Sequence, residues 1–97
     1  MKRYRFLPPA RAELFEISEH YAAQAAGLGE EFLAVISTSI GLLRENPELG
    51  ASHRAETRRF VVPRFPYSLI YLDEPSALVF IAIAHHRREP SYWAGRL

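Results

Sequence analysis

The sequence contains no cysteine and no long apolar run. Without cysteine the chain can form no disulfide, no zinc–thiolate site and no thiol nucleophile. Its longest apolar run covers the eight residues 77–84, whereas a membrane-spanning helix needs about 20. The N-terminal residues 1–9 carry charge, but no apolar signal-peptide core follows them. These absences lead us to expect a cytoplasmic protein that does not enter a membrane.

A large net charge is absent as well. The formal net charge of the 97-residue chain is +1, which argues against a protein that coats nucleic acid non-specifically. The charge is unevenly distributed, since residues 1–52 hold five Lys/Arg and seven Asp/Glu, and residues 53–97 hold seven Arg and four Asp/Glu. The second half is therefore basic, either because it binds a partner or because arginines solubilise strand edges. A chain of this length, 48% hydrophobic, can bury one core, so we predict a single domain over residues 1–97.

The N-terminal part of the chain predicts a short strand and then a helix. Residues 3–7 alternate in polarity and end at Pro8 and Pro9, which suit the first turn of a helix because proline fixes φ and has no amide hydrogen. From about residue 9 to residue 25 apolar side chains recur every three or four positions. This spacing indicates an amphipathic helix with one buried face, and it places Glu13 on the opposite, solvent-exposed face.

A second helix is predicted over residues 30–44. Gly27 and Gly29 before it can adopt positive φ and indicate a tight reversal, while Asn46 and Pro47 after it indicate its end. The two helices would form an antiparallel hairpin whose apolar stripes need a third surface to cover them.

The remaining chain predicts a sheet that supplies this surface. Three segments rich in β-branched and aromatic residues follow a loop over residues 48–56, and they cover residues 57–62, 67–72 and 77–84. Four-residue turns join them, and connections this short join antiparallel neighbours. The predicted fold class is α+β, in the order β-α-α-β-β-β, with an antiparallel sheet packed against an N-terminal helical hairpin and a short C-terminal helix or coil.

The densest group of cationic and aromatic side chains follows the last predicted strand, which is apolar on both faces. It comprises His85, His86, Arg87, Arg88, Tyr92, Trp93 and Arg96. Tyrosine, tryptophan and arginine are the types enriched at binding hot spots, so we predict a contact surface for a macromolecule here. For Trp93 the alternative is a ring packed under the sheet. A metal site on His53, His85 and His86 is not favoured, because no carboxylate lies at ligand spacing near them, and no cofactor is predicted.

Several segments in this order resemble a known family. After the helical hairpin come NPELG, an Arg-rich strand, FPYSLIY, and an apolar strand that ends in AHHRREPSYWAGR. Over essentially the whole chain these segments resemble the ParE/RelE superfamily of toxins from bacterial type II toxin–antitoxin modules, and the C-terminal part is closer to ParE-like sequences. The resemblance implies a toxin neutralised by a cognate antitoxin, whose disordered C-terminal part folds over the toxin's helices and sheet.

The resemblance leaves two activities open. ParE-like members poison DNA gyrase and cleave nothing themselves, whereas RelE-like members are ribosome-dependent endonucleases that cut mRNA. RelE-like enzymes carry basic residues along the second and third strands, where this sequence has Val61, Val62 and Ser68. This departure favours gyrase poisoning, with the mRNA endonuclease as the alternative. A degenerate toxin, a toxin with another target, or an interaction module is the third possibility. Neither a membrane partner nor sequence-specific DNA binding is expected.

Three sets of candidate residues follow. The target-binding set is Arg58, Arg59, His86, Arg87, Arg88, Tyr92, Trp93 and Arg96. The antitoxin-binding set, drawn from apolar and aromatic residues of the helices and sheet, is Leu14, Tyr21, Phe60, Tyr67 and Tyr71. For a nuclease, the acid–base groups and phosphate donors would be His85, His86, Arg58, Arg87 and Tyr92. Adjacent strand residues face opposite sides, so His85 and His86 cannot both face one substrate unless the strand has ended.

Overall fold

The chain folds into two helices and five strands. A computed structural model describes residues 1–97. The elements in chain order are β1 (Arg3–Phe6), α1 (Pro8–Gln24), α2 (Leu28–Glu45), β2 (Ala51–Ser52), β3 (Arg58–Val61), β4 (Tyr67–Asp73) and β5 (Ala77–His85). Single turns of 3-10 helix lie at Pro47–Leu49, Arg54–Glu56 and Ala94–Arg96. The predicted α+β class and helical hairpin are confirmed, and neither helix is long and apolar enough to cross a membrane.

All five strands form one sheet in the order β1-β5-β4-β3-β2. Strands β2 to β5 pair antiparallel with their neighbours, as the predicted meander requires, but β1 pairs parallel with β5. The sheet is therefore mixed rather than wholly antiparallel, because no short turn joins β1 to β5 and the direction of their pairing is left free. Strand β2 lies inside the predicted loop over residues 48–56, since a two-residue strand is too short to show a period.

The reversal between the helices depends on two glycines with different roles. Gly27 has a φ of 79°, a left-handed conformation that glycine adopts without steric cost, and α2 begins directly after it at Leu28. Gly29 lies inside α2, where a Cβ would come within 2.5 Å of the carbonyl oxygen of Ser18. Glycine at this position therefore lets the two helices approach closely. The prediction of positive φ is confirmed for Gly27 and wrong for Gly29.

The sheet is buried on both faces, but by different parts of the chain. One face, the helix-covered face, packs under α1 and α2 in a cluster of twelve buried residues that includes Phe32, Tyr71 and Phe80. The opposite face, named here the open face, carries a second cluster of five, Ile70, Val79, Ile81, Ala82 and Trp93. Neither helix contributes to this second cluster. Trp93, from the C-terminal segment (residues 86–97), covers it instead.

A β-bulge in β5 decides which side chains reach the open face. The register between β4 and β5 shifts, so that Ile81 has no partner in β4. Ile81 and Ala82 consequently both belong to the open-face cluster. After this bulge, each residue of β5 faces the side opposite to the one that strict alternation from Ala77 would give it. His85 then lies on the helix-covered side against the ring of Tyr67, 5.0 Å away between centroids. His86 therefore emerges on the open face.

Candidate functional site

A cavity of about 240 Å³ lies on the open face beside the C-terminal segment. Its floor is apolar and consists of Ile70, Ala84 and Trp93. Most of the residues around this floor are basic or polar, namely His53, Arg59, Ser68, His85, His86 and Arg88; Pro90 and the acidic Glu89 complete the lining. This cavity, named here the basic cavity, joins β3, β4, the end of β5 and the start of the C-terminal segment. Part of the cationic group predicted behind β5 is thus brought into one concave site.

The register of β3 places one arginine in the cavity and turns its neighbour away. Arg59 faces the open side, whereas Arg58, one residue earlier, faces the helix-covered side. Arg59 is exposed and takes part in none of the salt bridges of the chain. Arg58 donates from Nη1 to the carbonyl oxygens of Glu48 and Gly50, at 3.2 and 2.8 Å. Arg58 therefore holds the loop before β2 and faces away from the basic cavity, so its place in the target-binding and nuclease sets stays a prediction that the cavity does not support.

His86 is held at the cavity wall by two hydrogen bonds. Its Nε2 lies 3.1 Å from Oγ of Ser68, and its backbone N–H donates to the carbonyl oxygen of Pro66 at 2.9 Å. The ring of the adjacent His85 packs against Tyr67 instead, so the two imidazoles do not form a pair. No group of three or more histidine or acidic side chains comes together that could hold a metal ion.

His53 and Trp93 close another side of the cavity, with ring centroids 5.9 Å apart and an interplanar angle of 38°. Burial lowers the pKa of His53, and the positive charges of Arg59 and Arg54 lower it further. Arg54 and Arg59 thus lie close enough to His53 for their charges to act on its ring. Trp93 is 1% exposed, so the ring is packed under the sheet and cannot touch a macromolecule. This corrects its place in the target-binding set.

The turn between β2 and β3 is docked on the C-terminal segment. Ala55 and Glu56 have φ values of 54° and 62°, and the carbonyl oxygen of Arg54 accepts from the N–H of Thr57 at 3.1 Å. These are the features of a type I′ turn, which costs non-glycine residues about 1 kcal/mol or more each. Nη1 of Arg54 donates to Oγ of Ser91 at 2.9 Å. Contact with the C-terminal segment thus helps to hold the turn beside the cavity.

Arg87 and Arg88 follow β5 directly and are exposed. Arg88 lines the cavity, and its guanidinium carbon lies 3.8 Å from the centroid of the Tyr92 ring, a cation–π contact that orients it. The backbone N–H of Arg87 donates to Nδ1 of His85 at 3.0 Å, while its side chain forms no salt bridge. The members of the target-binding set that lie in the cavity or directly beside it in the chain are Arg59, His86, Arg87 and Arg88.

Arg96 and Tyr92 make their contacts inside the protein. Nη1 and Nη2 of Arg96 donate to Oε1 and Oε2 of Glu13 at 2.9 and 2.8 Å, and the hydroxyl of Tyr92 donates to Oε2 at 2.8 Å. The side chains of Arg96 and Glu13 are only 19% and 13% exposed. An internal acid thus neutralises Arg96, which contradicts its predicted role in target binding. Glu13 is the partner of Arg96, and its helical spacing had predicted a place on the solvent-exposed face of α1 instead.

Hydrogen bonds around Glu13 set the pKa values of this cluster. Burial alone would raise the pKa of Glu13, but hydrogen bonds from Arg96, the Ile83 amide and Tyr92 outweigh it and hold the pKa below its ordinary value of 4.5. Burial, followed by the hydrogen bond to Glu13, raises the pKa of Tyr92 far above its ordinary value. Tyr92 is therefore a weaker acid than a free phenol, and its proton is already donated to Glu13, which opposes its predicted role in a nuclease. Its place in the target-binding set stays a prediction.

The Glu13–Arg96 pair occupies the place of a missing strand at the edge of β5. Strand β1 pairs only with residues 77–80, so later backbone groups on that side have no strand partner. The N–H of Ile83 donates to Oε1 of Glu13 at 3.0 Å, and the carbonyl oxygen of Ile81 accepts from Nη1 of Arg96 at 2.9 Å. Buried backbone groups require hydrogen-bond partners, and the ion pair supplies them to the N–H and carbonyl groups at this edge of β5. The same pair fastens the C-terminal segment to α1.

The predicted antitoxin-binding residues divide between the core and the partly exposed surface. Tyr71 is fully buried, and its hydroxyl donates to the carbonyl oxygen of Pro47 at 2.7 Å and accepts from the N–H of Gly50 at 3.0 Å. Tyr67 is also buried, and burial is the main cause that raises its pKa to about 12. Neither tyrosine is accessible to a partner, which corrects the prediction. The half-buried members of the set are Leu14, Tyr21 and Phe60.

An apolar groove of about 710 Å³ runs between α2 and β3. Its apolar lining includes Val35, Leu42, Phe60, Val61 and Val62. Leu42 and Val61 are 45% and 51% exposed. Strand β2 pairs only with Arg58 and Arg59, so the outer edge of β3 is uncovered from Val61 onward. Exposed apolar side chains beside a free strand edge are features that peptide partners use.

Comparison with known proteins shows the family of this chain. The family described as "ParE toxin of type II toxin-antitoxin system, parDE" matches residues 4–90. Among solved structures, the chain is similar to one from "Chromosomal ParDE TA system from P. aeruginosa", with a TM-score of 0.68 and 21% identity over 88% of this chain and 96% of that chain. At this identity the likeness shows the fold. No curated protein matches the sequence significantly. The chain belongs to the family of ParE toxins of type II toxin–antitoxin systems.

Proposed function

We propose that this chain inhibits growth by binding DNA gyrase, and that a cognate antitoxin neutralises it in the cytoplasm. Its ParE family membership supports gyrase as the target, because ParE-like toxins poison gyrase. The observation that carries the proposal is the basic cavity, where Arg59 and Arg88 lie without an acidic partner on a nearly neutral protein. We therefore assign target binding to this part of the open face.

The proposed surface acts through charge and shape. Arg59, Arg87 and Arg88 form no salt bridge, so their charges are available to an acidic surface of the target. Complementary charge accelerates association and selects among partners, and arginine is common at the centres of protein interfaces. Inhibition by binding of this kind does not require the toxin to break a covalent bond.

The alternative of an mRNA endonuclease receives less support from the positions of its candidate residues. Tyr92 gives its proton to Glu13, and Arg58 is bound to backbone carbonyl groups on the helix-covered side. The ring of His85 packs against Tyr67, so His86 is the one residue of the predicted histidine pair whose ring is held in the basic cavity. His53, which lines the cavity as well, was outside the predicted nuclease set. RNA cleavage needs both an acid and a base beside the phosphate. The dispersed arrangement therefore favours the gyrase proposal.

The α2–β3 groove is the proposed antitoxin site. Its apolar lining suits an amphipathic helix, and the uncovered edge of β3 at Val61 can pair with an added strand. Phe60 of the predicted antitoxin-binding set lines this groove. A partner seated there would cover Leu42 and Val61, two of the exposed apolar side chains of the toxin.

Purified gyrase tests the proposal directly. We expect the wild-type chain to inhibit supercoiling, and the triple variant R59Q/R87Q/R88Q to lose potency at least about tenfold, because charged interface contacts are worth about 1.5–3 kcal/mol each. The matched control R3Q/R5Q/R11Q removes three exposed arginines elsewhere and should keep its potency. Codon-phased cleavage of translated mRNA with unaffected gyrase would establish the alternative instead.

The same assay tests the groove. The product of the adjacent reading frame, the expected antitoxin, should abolish inhibition by the wild-type chain. It should act poorly on Leu42→Asp, which places a charge in the apolar groove on α2, an element that does not line the basic cavity. Equal neutralisation of both proteins would contradict the assignment of the groove.

A further inference from the structure

The basic cavity holds hydrogen-bond donors that the fold itself does not use. Arg59 and Arg88 line it, and neither forms a salt bridge. The contrast with Arg58 and Arg96 is direct, because those two donate to backbone carbonyl oxygens or to a carboxylate. Two arginines with free donors around one concavity suit an oxyanion that accepts from several directions.

A buried hydroxyl adds a neutral donor to this pair. Ser68 is 1% exposed, lines the cavity, and has its Oγ 3.1 Å from Nε2 of His86. In the tautomer that protonates Nε2, His86 donates to Ser68, and the Ser68 hydroxyl hydrogen is free to donate to a ligand. An anion in the cavity would favour this tautomer.

The cavity is small and closed at its floor, so it can accept a phosphate at the end of a ligand but not one inside a longer chain. Its volume of about 240 Å³ is below the roughly 300–1,000 Å³ that encloses a drug-sized ligand. Ile70 and Trp93 close the floor, and both are buried. An internal phosphodiester would need the chain to enter and leave, whereas a terminal phosphate enters from one side.

We infer that the basic cavity binds a phosphate monoester, with its terminal oxygens held by Arg59, Arg88 and Ser68 and its ester oxygen directed to solvent. The positive charges of Arg59 and Arg88, which form no salt bridge, attract a dianion more strongly than the single charge of a diester. A phosphate monoester carries a charge of about −1.5 to −2 near neutral pH. Glu89 also lines the cavity and opposes the anion, so its charge limits the affinity.

This inference goes beyond the proposed binding of gyrase, although it concerns the same cavity. Phosphate binding is measured on the purified chain without gyrase, and gyrase inhibition is measured without added phosphate monoester. Failure of one is therefore distinguishable from failure of the other.

The test is an NMR titration of the ¹⁵N-labelled chain at constant ionic strength, with inorganic phosphate, adenosine 5′-monophosphate and a dinucleoside monophosphate as probes. We expect saturable shifts at Arg59, Ser68 and His86 with the first two probes and not with the third. Arg59→Gln should raise the dissociation constant at least about tenfold, and Glu89→Gln should lower it. Arg5→Gln, which removes an exposed arginine outside the cavity, should leave it unchanged within about twofold.

Three results would overturn the inference. One is equal binding of the monoester and the diester, because the cavity would then not select a terminal group. Another is a set of non-saturating shifts spread over surface arginines that Arg5→Gln weakens as much as Arg59→Gln does. The third is binding of inorganic phosphate without adenosine 5′-monophosphate, which would mean that the cavity takes the free ion and excludes the ester.

Discussion

The two faces of the sheet are buried by different means. On the helix-covered face, α1 and α2 supply regular apolar stripes to a cluster of twelve buried residues. On the open face, a cluster of five is closed by one tryptophan on an irregular segment, which the Glu13–Arg96 pair fastens to α1 and β5. The face that carries the basic cavity is thus held by a few specific contacts. Regions with few buried apolar contacts are the ones that open first.

Trp93→Ala tests whether one side chain holds the open face together. We expect the free energy of unfolding to fall by about 3–5 kcal/mol, because the large ring leaves a cavity that residues 86–97 cannot fill. Urea denaturation followed by far-UV circular dichroism measures this loss. Phe15→Ala, at a side chain that is 49% exposed, is the control and should change stability by less than about 1 kcal/mol. A loss for Trp93→Ala no greater than this control would contradict the comparison of the faces.

Glu13→Gln tests the fastening of the C-terminal segment. We expect a loss of about 2–3 kcal/mol, because Arg96 is left mostly buried without its counter-charge. Urea denaturation of this variant beside Glu16→Gln, an exposed carboxylate on the same helix, isolates the effect, and the control should lie within about 0.5 kcal/mol of the wild type. Equal stability of the two variants would mean that the ion pair does not fasten the segment.

The pH dependence of the unfolding free energy tests the Glu13–Arg96 pair as well, and the change expected is smaller. The pKa of Glu13 is lower in the folded chain than its ordinary value of 4.5, so its contribution is complete above that pH and is lost as the pH falls through the folded value. The difference in unfolding free energy between the wild type and Glu13→Gln should therefore be constant near neutrality and shrink below about pH 4.5. A difference that persists unchanged at about pH 2 would assign the effect of the variant to packing instead.

Much of the fold followed from periodicity and chain breakers. The strands predicted over residues 67–72 and 77–84 correspond to Tyr67–Asp73 and Ala77–His85, because runs of β-branched and aromatic residues between turn signals are long enough to be recognised. The second helix, predicted from residue 30, begins two residues earlier at Leu28. Strand β2 and the parallel pairing of β1 with β5 were not predictable, since both depend on which strand edge is available in space.

The candidate site could be predicted only in part. The chemistry of the residues behind β5 singled out His86 and Arg88, and the Arg-rich strand singled out Arg59; the structure places all three at the basic cavity. His53 and Ser68 had no comparable signal, because they reach the cavity through the β2–β3 turn and the register of β4. A basic or aromatic residue type indicates that a side chain needs a partner, but it does not tell whether that partner is internal.

The order of apolar and polar residues by itself determined the helical hairpin and the meander, because these depend on local periodicity and on segments close together in the chain. The family was indicated by the resemblance of particular segments, such as NPELG and FPYSLIY. Tertiary structure decided which cations remain free. The bulge at Ile81 sends His86 to the open face, the register of β3 does the same for Arg59, and Glu13, 83 positions before Arg96 in the chain, neutralises it. Charges are compensated by proximity in space, which spacing along the chain does not encode.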